Sequence, residues 1–269
     1  MILLFSETRS DYAHYLYPYV IWAVPEPGET PGDLFRRGFL PASLQLDRFY
    51  LCRNLRVVLP HFKPSSENRR ILRKGEGIAV ELLPRSQFDY SDGRRQVWKA
   101  YADQRFGEDV MHGDRLDALM HSPVISHLLR FTDPAAGREV GTALLFLEEP
   151  HLAYYYYAFY DLAYLPRNLG MFMMTTAVEF FARRGFAHLH LGTCYSDRAL
   201  YKTQFAGIQF FNGFGWSENL EELKFLIQRE QKPGAGHLLE KAGFLELFHA
   251  GSLANLAAHA TLRVPTRPG

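Results

Sequence analysis

Between positions 154 and 216 the chain carries most of the side chains able to take part in a reaction. Tyr160-Asp161 ends a tyrosine-rich run (YYYYAFYD). A carboxylate at a strand end can orient an amine or take its proton, although caps and turns use aspartate as often. PRNLG then sets Arg167 and Gly170 ahead of an apolar stretch. A glycine there opens a helix whose first amides can hold an anion, and it also simply permits a tight turn. Tyr201-Lys202 offers an ammonium to a phosphate or a ribose. His188 and His190 alternate with leucines on one strand and share a side, a pair able to bind metal. No third ligand stands at a matching spacing, so no metal is expected. Cys194 lacks a histidine at fixed spacing to activate it and reads as a cleft wall.

The elements that must position these groups follow from periodicity. Gly141–Leu147 and Ala153–Tyr160 suit two strands of a hairpin. Alternation along Tyr154–Tyr157 predicts two rings on each face. Met171, Met174, Val178 and Phe181 recur at helical spacing, with Arg183 and Arg184 in the last turn and Gly185 as the stop. HLHLG reads as a strand, 196–205 as a short helix capped by Ser196 or Asp197, IQFFNGFGW as a strand and 217–230 as an amphipathic helix. Pro233–Gly236 break the pattern, and one or two helices are expected over 237–262. The alternation of strands and helices predicts an α/β or α+β layer structure. A strand, a glycine turn, a helix and a second strand are the parts from which acyl-transfer folds build a donor site between splayed strands. An acyl-CoA N-acyltransferase carries Arg/Gln-x-x-Gly-x-Gly/Ala in that turn. Arg167-x-x-Gly170 fits, but Phe172 stands where the third small residue belongs and is expected to crowd a pyrophosphate. No cofactor is therefore expected.

Upstream, FYLCRNLRVVL reads as a strand, and 92–106 as a helix with Val97, Tyr101 and Gln104 on one face. Residues 53–74 hold Arg53, Arg56, Lys63, Arg69, Arg70, Arg73 and Lys74 against Glu67 alone. Such a run is either a solvated face or a contact for a phosphate backbone. The 269 residues carry a formal net charge of +1, so any nucleic-acid role rests on this local charge. Two cysteines exclude a disulfide framework and a four-cysteine zinc site. No apolar run approaches the length of a membrane span, and the MILLFSETR start lacks the features of a signal peptide, so a cytoplasmic protein is expected.

LFRRGFLP, YLCRNLRVVLPHFKPSSENRRILRK, FYD with NLG, HLHLG and LYKTQFAG occur in one order. Together, from about Leu34 to Trp216, they resemble the arginyl-tRNA–protein transferase family, in particular its bacterial aspartate/glutamate leucyltransferases. The resemblance implies an α+β, GNAT-like mixed sheet flanked by helices. It implies an N-terminal module over 1–75, a catalytic domain over 76–230 and a helical tail over 231–269. The implied reaction moves an amino acid from aminoacyl-tRNA to an acceptor N-terminus without CoA. Asp161, Tyr160 and Tyr201 would be catalytic. Asn168, Leu169, Gly170, Tyr195, Lys202 and Phe205 would bind substrate, and Arg56, Lys63, Arg69, Arg70, Arg73 and Lys74 would bind tRNA. The chain departs from the family at Leu162, where a proline is usual, at Ala206-Gly207, where Arg-Pro is usual, and at Cys52, which stands without the usual cysteine cluster. An acyl-CoA or acyl-carrier N-acyltransferase and a non-catalytic tRNA- or protein-binding relative remain alternatives. The oligomeric state is not read from the sequence.

Overall fold

The computed structural model describes residues 1–7, 19–108, 110–230, 238 and 242–262. The expected break at 233–236 lies outside them. The first strands are β1 (Ile2–Glu7) and β2 (Tyr19–Val24), followed by helix α1 (Pro31–Arg36) and strands β3 (Phe39–Pro41) and β4 (Phe49–Leu51). They form a four-stranded antiparallel sheet in the order β1-β2-β4-β3.

Strand β5 (Asn54–Val58) leaves this sheet and enters a larger one. Next come α2 (Ser66–Lys74), β6 (Ala79–Pro84), α3 (Asp92–Phe106), α4 (Gly113–Met120), β7 (His127–Asp133), β8 (Arg138–Glu148) and β9 (Leu152–Tyr160). The chain continues through α5 (Leu169–Arg183), β10 (His188–Thr193), β11 (Ile208–Phe211), β12 (Trp216–Ser217) and α6 (Leu220–Glu230). Helices α7 (Ala242–Phe248) and α8 (Leu253–His259) make up the described tail. The larger sheet runs β12-β11-β5-β10-β9-β8-β7-β6 and is antiparallel except for β9 and β10. The fold is thus α+β, with a mixed sheet flanked by helices. The strand read over 49–59 divides between the two sheets, between Leu51 and Asn54.

One face of that sheet packs on α5. Leu145, Ala153, Tyr155 and Leu189 meet Met173, Ala177, Val178 and Phe181 in one core. The opposite face carries two smaller cores. Leu128, Leu144 and Phe159 pack with Trp98 and Tyr101 of α3 and Leu116 of α4. Phe146, Leu152 and Tyr154 pack with Phe35 of α1 and with Phe39 and Phe49 of the small sheet. Helix α2 starts on a reciprocal cap in which Ser65 Oγ accepts from the Asn68 amide and Asn68 Oδ1 accepts from the Ser65 amide. Its Gly75 stop lies where an added Cβ would meet the Phe172 ring at 2.2 Å, so the glycine lets α2 seat closely on α5. The helix expected over 196–205 is a 3-10 helix over Asp197–Thr203, and Ser196, at its N-cap position, makes no side-chain cap bond.

Candidate active site

Strands β9 and β10 begin paired and then part. Their parallel register covers His188–Leu152, Leu189–Ala153 and His190–Tyr154. Beyond it, β10 slips its register against β5 between His190 and Gly192, where Gly192 has a φ of +80°. Strand β9 slips against β8, with Leu144 opposite Tyr157 and Leu145 opposite Tyr155. Tyr156 is therefore the extra residue of a bulge. Three rings, Tyr154, Tyr156 and Tyr157, turn to the α3 and small-sheet side and only Tyr155 turns to the α5 side. This corrects the expectation of two on each face.

The parted strands open a cleft of about 460 Å³, within the size range of ligand sites. Tyr155 and Leu191 line it from the two strands, Asn168 to Met171 from the start of α5, Arg105 and Phe106 from the end of α3, and Tyr201 and Lys202 from the 3-10 helix. Tyr160, Asn168, Leu169, Gly170, Tyr201 and Lys202 thus converge on one space, although they come from three separate segments.

Local chemistry explains how they are held. Asn168 adopts the left-handed conformation (φ +58°) and its side chain makes no cap bond. The first-turn amides of α5 have no carbonyl partner inside the helix, so they remain donors at the cleft. A Cβ on Gly170 would stand 2.9 Å from both the ring and the hydroxyl of Tyr160. The glycine is needed because Tyr160 lies against the helix start. Lys202 Nζ donates to the Thr193 carbonyl at 3.1 Å, and burial lowers its pKa while nearby Cys194 opposes the shift. Burial raises the Tyr201 hydroxyl, which stays protonated and able to donate at neutral pH although the residue is 49% exposed. Burial likewise raises the Cys194 thiol, and its side chain is fully enclosed, which suits a wall rather than a nucleophile.

Other expected site residues lie elsewhere. Asp161 does not line this cleft. Its Oδ1 accepts from the Ala163 amide at 2.9 Å, its Oδ2 pairs with Arg138 at 2.6 Å, and it borders a neighbouring cavity of about 790 Å³. Tyr101 and Tyr160 line both spaces and form the partition. The Tyr195 hydroxyl accepts from the Arg53 amide at 2.8 Å, outside the cleft lining. Phe205 is 2% exposed and packs on Phe62, so it is a core residue and not a substrate contact. Phe172 points away from the cleft into the core, against Phe131 and Gly75. The expectation that it crowds the cleft is corrected: at its helical position the side chain turns inward. Arg167 also turns away, its Nε on the Lys74 carbonyl at 3.2 Å and its Nη2 on the Glu76 carbonyl at 3.3 Å.

The basic segment splits in the same manner. Arg56 sits in the sheet interior, with Nε on Gln209 Oε1 at 2.9 Å and its guanidinium 3.8 Å from the Trp216 ring centre. Burial brings its pKa down to about 10. It is half-buried, and its guanidinium is engaged by Gln209 and Trp216 rather than offered to solvent as those of Arg69 and Arg73 are. On α2 and the turn before it, Lys63, Arg69 and Arg73 are exposed and Lys74 is half-buried. Arg70 is held by both oxygens of Glu67 at 2.7 and 2.6 Å. His190 is buried, its Nδ1 accepting from the Asn54 side-chain amide at 2.9 Å, and burial keeps the ring neutral. Sequence reading missed Arg105, Phe106 and the partition formed with Tyr101. The stripe of Val97, Tyr101 and Gln104 was the available signal, and all three line the neighbouring cavity.

No family model matches the chain. Curated relatives do. An aspartate/glutamate leucyltransferase of Sphingopyxis alaskensis is 27% identical over 62% of this chain and 67% of its own length. That of Polynucleobacter necessarius is 25% identical over 70% of this chain and 79% of its own. That of Alkalilimnicola ehrlichii is 26% identical over 72% of this chain and 86% of its own. Among solved structures, FemX aligns at 12% identity over 52% of each chain with a TM-score of 0.40. L-PGS from Bacillus licheniformis aligns at 13% identity over 52% of this chain and 44% of its own, also with a TM-score of 0.40.

Proposed function

We propose that this chain, a divergent relative of the aspartate/glutamate leucyltransferases, moves an amino acid from aminoacyl-tRNA to the α-amine of a protein or peptide N-terminus. The observation that carries the reading is the cleft between β9 and β10. There the open amides of α5, Tyr160, Tyr201 and Lys202 face one space, and α2, with Arg69 and Arg73 exposed, is seated on the same helix through Gly75 and Phe172.

In this reaction the neutral amine attacks the ester carbon, a C–N bond forms, and the tRNA 3′-oxygen leaves with a proton. The ester is already activated, so positioning supplies much of the rate. The amides at Leu169 and Gly170 hold the oxyanion or the terminal phosphate. Tyr201, kept protonated, donates toward the leaving oxygen, and Lys202 holds the acceptor end of the tRNA. Lys63, Arg69, Arg73 and Lys74 take its phosphate backbone. Tyr195 has no direct part, because its hydroxyl is committed to the Arg53 amide. Arg167 supports this reading over an acyl-CoA one: its guanidinium is committed to backbone carbonyls and not offered to a pyrophosphate. Among the described residues no helix is long and apolar enough to cross a membrane. The reading places the enzyme in the cytoplasm, marking protein N-termini as the arginyl-tRNA–protein transferase family does.

The test mixes the protein with a set of charged tRNAs and peptides beginning with Asp, Glu or other residues. The expected result is peptide heavier by one amino acid, dependent on charged tRNA. Tight acetyl-CoA binding in calorimetry, with no mass-shifted peptide from any pair, would sink the idea.

A further inference from the structure

We propose that a small cavity at the starts of β9 and β10, at the opposite end of that strand pair from the cleft, binds a tetrahedral oxyanion of the phosphate class. The site stands apart from the transferase reading and requires no part of it. The cavity measures about 70 Å³ and lies between α1 and β10, bordered by Gly32, Phe35, Arg36, His151, His188 and His190. A water takes up about 30 Å³, so the space suits one tetrahedral ion.

His190 points to an acceptor there. The residue is 1% exposed, and its ring lies 5.0 Å from that of Phe35. Its Nδ1 accepts from the Asn54 side-chain amide, which places the proton of the neutral ring on Nε2. Among the described residues that second nitrogen has no acceptor, and the ring lines the cavity. A buried donor left without a partner is costly. A single water would satisfy it but leave the surrounding charge unanswered.

That charge is one-sided. Arg36 borders the cavity with its side chain half exposed. Burial, then Arg56 and Arg36, hold His188 down to about 4, so both guanidinium groups act on this space. The carboxylates near α1 are already engaged. Asp33 pairs with Arg36, and Glu148 accepts from the Thr30 hydroxyl and the Gly32 amide at 2.9 Å each. An oxyanion accepts from His190 Nε2 and from the Arg36 fork, and its charge favours protonation of His188. Three histidines border the space, yet no three metal-ligating side chains come together among the described residues, and two arginines disfavour a cation.

The experiment adds sulfate, inorganic phosphate or AMP to the full chain, with chloride at matched ionic strength as control. The ring protons of His188 and His190 are followed by NMR and assigned with His188→Gln. Both rings are expected to shift together and saturate with sulfate, and His188 to titrate at higher pH when sulfate is present. Arg36→Gln is expected to weaken binding about tenfold and Arg36→Lys to restore part of it, with unfolding midpoints showing that each variant is folded. A response to AMP equal to that for phosphate identifies a phosphate ester whose remainder leaves past Arg36. A response to the free ions alone identifies the ion itself. Ring signals unmoved by any of the three, affinity unchanged in Arg36→Gln, or saturation by zinc in place of the anions overturns the site.

Discussion

Strand β9 has two halves that behave differently although their residues look alike. Through Tyr154 it pairs with β10, and the side chains there are enclosed: Tyr154 lies 5.2 Å from the Phe35 ring and His190 5.0 Å from it. Past Tyr154 the strands part, and tyrosines of the same run border open space. The tyrosine itself does not decide whether it is structural or functional. The presence of a hydrogen-bonded neighbour strand does. A substitution in the closed half therefore acts on stability, and one in the open half acts on transfer.

Tyr154→Ala gives the largest contrast. Removing a ring packed between Phe35 and Tyr156 costs about 3–5 kcal/mol, read by urea unfolding, with the fraction that stays folded still active. Across the cleft that the open half borders, Lys202→Ala lowers transfer by about 10- to 100-fold, the loss of a charge-assisted contact, with an unchanged unfolding midpoint. If Lys202→Ala unfolds the protein instead, the two halves are not functionally distinct.

The closed half also predicts a pH dependence. His188 and His190 are held below their ordinary value of 6.5 by burial, His188 at about 4, with Arg56 opposing charge on both. Folding keeps them neutral while the unfolded chain binds a proton below 6.5. Their stability contribution is thus present above that value and lost as pH falls toward 4. Thermal unfolding followed from about pH 7 to pH 5 should show a loss of about 2 kcal/mol for each ring, about 4 kcal/mol together, roughly halved in His188→Gln. A Tm independent of pH over that range would contradict the assignment. The smallest effect belongs to the basic segment. Arg69→Ala and Arg73→Ala should each lower the slope of log K against log salt for tRNA binding by about one. Arg56→Ala should leave that slope unchanged and lower stability.

Much of this was legible in the sequence. The strand, glycine turn, helix and strand over 152–193 announce themselves because an apolar helix period and two β-rich runs are local signals. Six of the expected site residues meet in the cleft for the same reason, since short connections fix them to those elements. Arg56 was not legible. A charge in a chain reads as surface, and only the sheet order, with β5 between β10 and β11, reveals that its guanidinium is engaged by Gln209 and Trp216. The bulge at Tyr156 was also hidden, because a slip of register depends on the partner strand. Phe172 misled for a geometric reason: its place in a motif suggests the cleft, while its angle around α5 sends it to the core. Asp161 carried both readings in the sequence, cap and catalytic group, and the structure shows the cap directly.

The seat of α2 on α5 has a mechanical meaning. Gly75 admits the Phe172 ring, and Arg167 clamps the carbonyls of Lys74 and Glu76. These contacts leave little room for one helix to slide along the other. The span from the exposed arginines to the open amides is then a built-in length. In the transferase reaction proposed above, that fixed span sets the reach the tRNA acceptor arm must have between the arginines and the amides.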